Sequence, residues 1–290
     1  MKPCISQATT LRNPFEADLT VYRGAGWTAV EIWLTKLETF LESHTAADAL
    51  ALLESNGIRP AAAASQGGLL LSQGAEREVH WNHFRRRLAI LQSLRVPTLI
   101  VTPDFARQPT LAEYTRAAAS LGEAALLASS FGVRIALEFQ KSSSICACLE
   151  TALALIAESG ATSAGVCFDV FHYYTGPSKF EDLAYLTPQN LAWVQICDVS
   201  STPRELAGDG DRILPGEGDF QLAPIIDHLE RIGYDGHVSL EVLNPHLWLV
   251  APDRVADLGR QALCRVLGQA QSSGVRVSAQ QPGEQPGGLA

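Results

Sequence analysis

No run of apolar residues in this chain approaches the roughly 18 needed to cross a bilayer. The first ten residues, MKPCISQATT, also lack the apolar stretch of about 7–15 residues that marks a secretory signal. Neither a membrane partner nor export is therefore expected. Basic clusters are scarce too: Arg85-Arg86-Arg87 is the longest, in a chain of net charge −9. A phosphate backbone needs a basic face, so nucleic acid is not an expected ligand. The six cysteines, at 4, 146, 148, 167, 197 and 264, form neither C-x-x-C pairs nor a disulfide-dense pattern. Cys167 and Cys197 sit in apolar runs as small buried side chains, and a reducing cytoplasm is the expected compartment.

What is present is a core. The 290 residues are 47% hydrophobic and 18% charged, which suits a well-packed globule and excludes a disordered chain. Eight short apolar segments read as strands: CISQATT (4–10), AVEIWL (29–34), AAAASQ (61–66), TLIVTP (98–103), RIALEFQ (134–140), GVCFDVF (165–171), AWVQICDV (192–199) and HVSLEV (237–242). Segments of helical period separate them, among them AADALALLESNGI with its closing Gly57, a residue type that ends helices at positive φ. Strand then helix, eight times, predicts an α/β fold, a single-domain (β/α)8 TIM barrel. A doubly wound open sheet would carry a glycine-rich turn after its first strand, whereas Gly24-Ala25-Gly26 follows the first candidate helix. The barrel is expected over residues 1–271. Residues 272–290, rich in Gly, Gln and Pro, read as a flexible tail.

Four candidate strands end on oxygen-bearing side chains: Glu138 in ALEFQ, Asp169 in FDVFH, Gln195 in VQICD and Glu241 in SLEVLN. Burying an unpaired charge costs several kcal/mol, so polar groups at the ends of apolar strands call for a shared partner. These strands are the fifth to eighth, and a parallel barrel gathers its chemistry at the carboxyl ends of its strands. Three carboxylates and an amide oxygen form a hard, all-oxygen set that suits one divalent ion, Mn²⁺ or Mg²⁺. His172, three residues after Asp169, is placed to polarise a substrate oxygen or transfer its proton.

These residues, with PGEGDF and GYDGHVSLEV, resemble the sugar phosphate isomerase/epimerase superfamily of xylose isomerase-like TIM barrels, which includes keto-sugar 3-epimerases, inosose isomerases and dehydratases, hydroxypyruvate isomerase and endonuclease IV. The resemblance runs through residues 3–270 in element order. It implies that Glu138, Asp169, Gln195 and Glu241 hold one metal ion and that His172 contacts substrate. An arginine after the seventh strand would do likewise, Arg204 first and Arg212 second. Many epimerases carry histidine where this chain has Gln195; the glutamine form is similar to a subset that includes 3-dehydroshikimate dehydratases. Endonuclease IV draws further histidines from earlier strands, where this chain reads Ala64-Ser65-Gln66 and Val101-Thr102-Pro103.

The function implied is a divalent-metal-dependent isomerase or epimerase of a keto-sugar or keto-polyol, acting by proton abstraction next to a carbonyl held by the ion. Glu138 and Glu241 would work from opposite faces of the substrate carbon. A dehydratase of the 3-dehydroshikimate or inosose type is the alternative, and a non-catalytic sugar-binding barrel the second. Barrels of this group often form dimers or tetramers, so a homo-oligomer is expected. Glu31 and Lys36 read as an exposed charged pair flanking a packing Trp33, and Lys141 is expected to stay out of the site.

Overall fold

The computed structural model describes residues 1–269, and the expected tail lies outside the described residues. Eight parallel strands close into a barrel: β1 (Lys2–Ser6), β2 (Ala29–Trp33), β3 (Arg59–Gln66), β4 (Thr98–Val101), β5 (Arg134–Glu138), β6 (Ala164–Asp169), β7 (Leu191–Ile196) and β8 (His237–Leu240), with β8 pairing back onto β1. Around them run α1 (Phe15–Gly24), α2 (Leu34–Leu41), α3 (Ala46–Ser55), α4 (Gly74–Ser93), α5 (Leu111–Ser130), α6 (Leu149–Ser159), α7 (Val170–Thr175), α8 (Leu222–Arg231) and α9 (Pro252–Val266). The expected (β/α)8 order holds throughout, and Gly57 closes α3 at φ 65°.

Seven of the eight strands end one to four residues before the segments expected for them, and in two the local reason is plain. Residues Gln7–Thr10 wind into a 3₁₀ turn, started by Ser6 Oγ accepting the Ala8 N–H at 3.3 Å and held by Gln7 and Thr10 bonding to Asp18. β6 stops at Asp169 because that side chain caps α7, accepting the Phe171 N–H at 2.8 Å.

Period-two alternation builds the rest. Ile135 and Leu137, Val166 and Phe168, Val194 and Ile196, Val238 and Leu240 belong to the outer apolar layer between sheet and helices. The inner cluster is made of Cys4, Ala29, Ala61, Ala62, Ala64, Ile100, Ala136, Cys167 and Trp193. Small side chains on most strands leave room for one indole. Continuing the same alternation by two residues carries Ala136 to Glu138, Cys167 to Asp169, Trp193 to Gln195 and Ser239 to Glu241. The register agrees, pairing Glu138 with Cys167, Asp169 with Gln195, and Gln195 with Ser239. Alternation therefore carries all four polar side chains to the inward face, above the apolar interior.

Candidate active site

Glu138, Asp169, Gln195 and Glu241 converge at the carboxyl end of the barrel, all buried. Glu241 is the first residue past β8 and is anchored there by its N–H, which donates to the Ile196 carbonyl at 3.1 Å. Glu138, Gln195 and Glu241 line a cavity of about 90 Å³ with His172, Arg212, Asp209, Gln140, Trp33, Ser65 and Thr102, and Asp169 lies buried beside it, against Arg212 and His172. Glu138, Asp169 and His172 each offer an atom within 4.8 Å of the other two.

Arg212 supplies positive charge to this cluster. Its guanidinium, 1% exposed, lies 2.9 Å from Asp169 Oδ2, 3.2 Å from Glu241 Oε2 and 2.8 Å from Asp209 Oδ1, and stacks 4.3 Å from the Phe171 ring centroid. One cation does not balance Glu138, Asp169, Glu241 and the nearby Glu31, all buried. Burial, then the charge of Asp169, pushes the Glu138 carboxyl up to about 8 against the pull of Arg212. Burial, then Glu31, raises Glu241 well above the usual carboxylate range. Among the described residues, Asp169 Oδ2 has no aligned hydrogen bond despite its closeness to Arg212. An under-bonded buried carboxylate oxygen amid surplus negative charge fits a divalent cation.

The His172 tautomer follows from one bond. A backbone N–H only donates, so Nδ1, which faces the Lys141 N–H at 3.4 Å, is the acceptor. Burial holds this histidine's pKa down to about 4, so the ring is neutral at pH 7 and carries its proton on Nε2. That nitrogen faces Asp169 at 3.7 Å and Glu138 at 3.9 Å. It is a donor aimed into the cavity.

The amide of Gln195 is fixed from three sides. Nε2 donates to Glu31 Oε1 at 3.0 Å and Glu241 Oε1 at 2.9 Å, and Oε1 accepts from Cys167 Sγ at 3.1 Å. In this arrangement Gln195 gives Glu241 a hydrogen bond rather than an oxygen to the cavity. Glu31 is the residue that sequence reasoning misplaced. It is fully buried, points into the barrel from β2 and accepts from the Trp193 indole at 2.7 Å. The signal was available: in AVEIW the carboxylate alternates with Val30 and Ile32, so it shares the inward face of Ala29. Lys36 is buried as well, bound to Asp18 at 2.7 Å and to the Thr10 carbonyl, because α2 packs against the turn after β1.

The two candidate arginines part company. Arg204 is exposed on the loop after β7, donating to the Gly176 carbonyl at 3.3 Å, whereas Arg212 lines the cavity. The loop bends back at Asp198 and Ile213, which form an antiparallel bridge, and this carries Arg212 beneath it.

A family model described as Xylose isomerase-like TIM barrel matches residues 19–266. An inosose isomerase of Bacillus velezensis is 26% identical over 270 residues, covering 90% of this chain and 95% of the relative. The structure of the IOLI protein with a binding zinc atom superposes with a TM-score of 0.87 at 23% identity, over 94% of this chain and all of that one. A D-psicose 3-epimerase determined in the presence of D-fructose gives 0.73 at 18% identity, over 92% of this chain and 100% of the other.

Proposed function

Because the chain belongs to the xylose isomerase-like TIM barrel family, we propose that it is a divalent-metal-dependent isomerase of a keto-inositol or a related keto-polyol. The observation that carries this reading is the pairing of two buried carboxyls of raised pKa, Glu138 and Glu241, with a neutral, donating His172 in one cavity. The inosose isomerase names of the relatives support the choice of substrate class.

Glu138, Asp169 and Glu241 would hold the ion, Mn²⁺ or Mg²⁺. Gln195 would join them by turning its amide so that oxygen replaces N–H. The ion supplies Lewis-acid polarisation of the substrate carbonyl when bound. Of Glu138 and Glu241, one takes the proton from the carbon beside that carbonyl and the other returns a proton. Both act from buried positions, where water does not compete for it. His172 Nε2–H and the Arg212 guanidinium donate to substrate oxygens and so favour the negative charge that develops there.

The test is incubation with a keto-inositol and Mn²⁺, read by mass and by NMR. An isomer of unchanged mass supports the proposal. Loss of one water would replace it with the dehydratase reading. Binding without turnover, unaltered in Glu138→Gln, would replace it with the non-catalytic barrel.

A further inference from the structure

The cavity is too small for the chemistry assigned to it. At about 90 Å³ it falls well short of the roughly 300 Å³ at the lower end of small-ligand sites. Asp209 and Arg212, both carried by the loop after β7, are part of its wall. The base of that loop is firm. Asp198 and Ile213 exchange backbone hydrogen bonds at 3.0 and 2.8 Å, and the Asp198 carboxylate accepts from the N–H groups of Val199, Gly216 and Phe220 at 2.9 to 3.0 Å.

Beyond the base the holding contacts are mainly polar: Arg212 is bound to Asp169 and Glu241, the Ser201 N–H donates to Asp219, and Arg204 donates to the Gly176 carbonyl. Ser201 turns at φ 62°, Leu206 is 77% exposed, and between Ser200 and Asp211 Ala207 alone is buried in the apolar core, so little apolar packing holds the segment down. Lys141, on the loop after β5, reaches across the mouth and donates Nζ to the Arg204 carbonyl at 3.3 Å and to the Ala207 carbonyl. Its own backbone N–H faces His172. A single residue thus touches both the catalytic histidine and the covering loop.

We propose that residues 199–212 are a lid that opens about the Asp198–Ile213 bridge, and that Lys141 is the latch holding it, with Arg212 and Asp209, over the bound substrate. Lys141 is a positioning residue: it acts through the loop carbonyls and not on substrate. Closure brings Arg212 between Asp169 and Glu241, and opening withdraws it. The substrate named here rests on the proposed function, whereas the motion itself does not.

The test uses the full chain and trypsin, with cleavage after the exposed Arg204 followed by mass. Lys141→Met removes the donor and keeps the stem. Its initial cleavage at Arg204 should rise about fivefold or more over wild type at unchanged melting temperature, with Lys141→Arg restoring protection. Equal cleavage in Lys141→Met and wild type would overturn the latch. If Lys141→Met fails to fold, hydrogen exchange on the wild type decides: amides 202–208 should exchange faster than 213–220, and equal protection sinks the lid. Where a keto-inositol is turned over, Lys141→Met should raise KM about tenfold while kcat holds or increases, since lid opening sets release. Absence of turnover by the wild type counts against the proposed function alone, because the protease and exchange readouts need no substrate.

Discussion

The Trp193 indole N–H donates to a Glu31 carboxylate oxygen at 2.7 Å, with both side chains buried inside the barrel. This bond joins the apolar interior to the polar layer above it, since Glu31 also accepts from the Gln195 amide that in turn donates to Glu241. Glu31→Leu leaves two buried donor N–H bonds, one on Trp193 and one on Gln195, without this acceptor and should cost about 2–6 kcal/mol, at roughly 1–3 kcal/mol for each orphaned group. Glu31→Gln keeps one acceptor oxygen and should fall between. Urea unfolding of the three proteins measures the order.

Arg212 is the counter-charge of the cluster. With metal removed by chelator, Arg212→Leu should lose about 3–5 kcal/mol, the usual result of removing one partner from a buried ion pair. Mn²⁺ should recover most of the loss by replacing the missing charge. A variant equally unstable with and without Mn²⁺ would count against the cation site.

Stability should depend on pH in a characteristic way once the protein is treated with chelator. The Glu138 pKa is raised from 4.5 to about 8 by folding, so its contribution is complete below about pH 4.5 and is lost as pH rises toward 8. His172 is lowered from 6.5 to about 4, so its contribution is present above about pH 6.5 and is lost as pH falls toward 4. Melting temperatures from pH 4 to 9 should show both slopes. Saturating Mn²⁺ should reverse the alkaline one, because the ion binds the ionised carboxylate.

Glu138→Gln keeps the shape of the site and removes a proton-transfer group. Turnover of a keto-inositol should drop by about 10²–10⁴, the usual contribution of one general acid–base residue. Steady-state kinetics at several Mn²⁺ concentrations separates this from weakened metal binding.

Gly218 lies where the turn after the lid passes Asp198. A Cβ there would sit 2.3 Å from Asp198 Oδ1 and 2.4 Å from the Val199 carbonyl oxygen, so backbone has to move. Gly218→Ala should cost about 1–3 kcal/mol. It should also loosen the 199–212 segment, visible as faster hydrogen exchange.

The barrel and the positions of Glu138, Asp169, Gln195 and Glu241 were legible because alternation and strand order are local patterns that topology turns into a ring. For Glu31 the alternation with Val30 and Ile32 gave the inward face, but its acceptor role was not legible, since its partners Trp193 and Gln195 come from a strand far along the chain. Arg212 ranked behind Arg204 for a similar reason. Its burial depends on the Asp198–Ile213 bridge folding the loop back, a pairing of two residues with no periodic signature. The orientation of the Gln195 amide depends on three partners from three strands.

The Trp193 ring also faces the other way, where it helps line the lower opening of the barrel with Thr98, Arg134 and His237. Its indole is a partition, so a molecule processed above it has no through-channel to the opposite face. Substrate and product of the proposed reaction would then use one doorway in turn. An enzyme so built releases before it reloads, and its product competes with its substrate for the same vacancy.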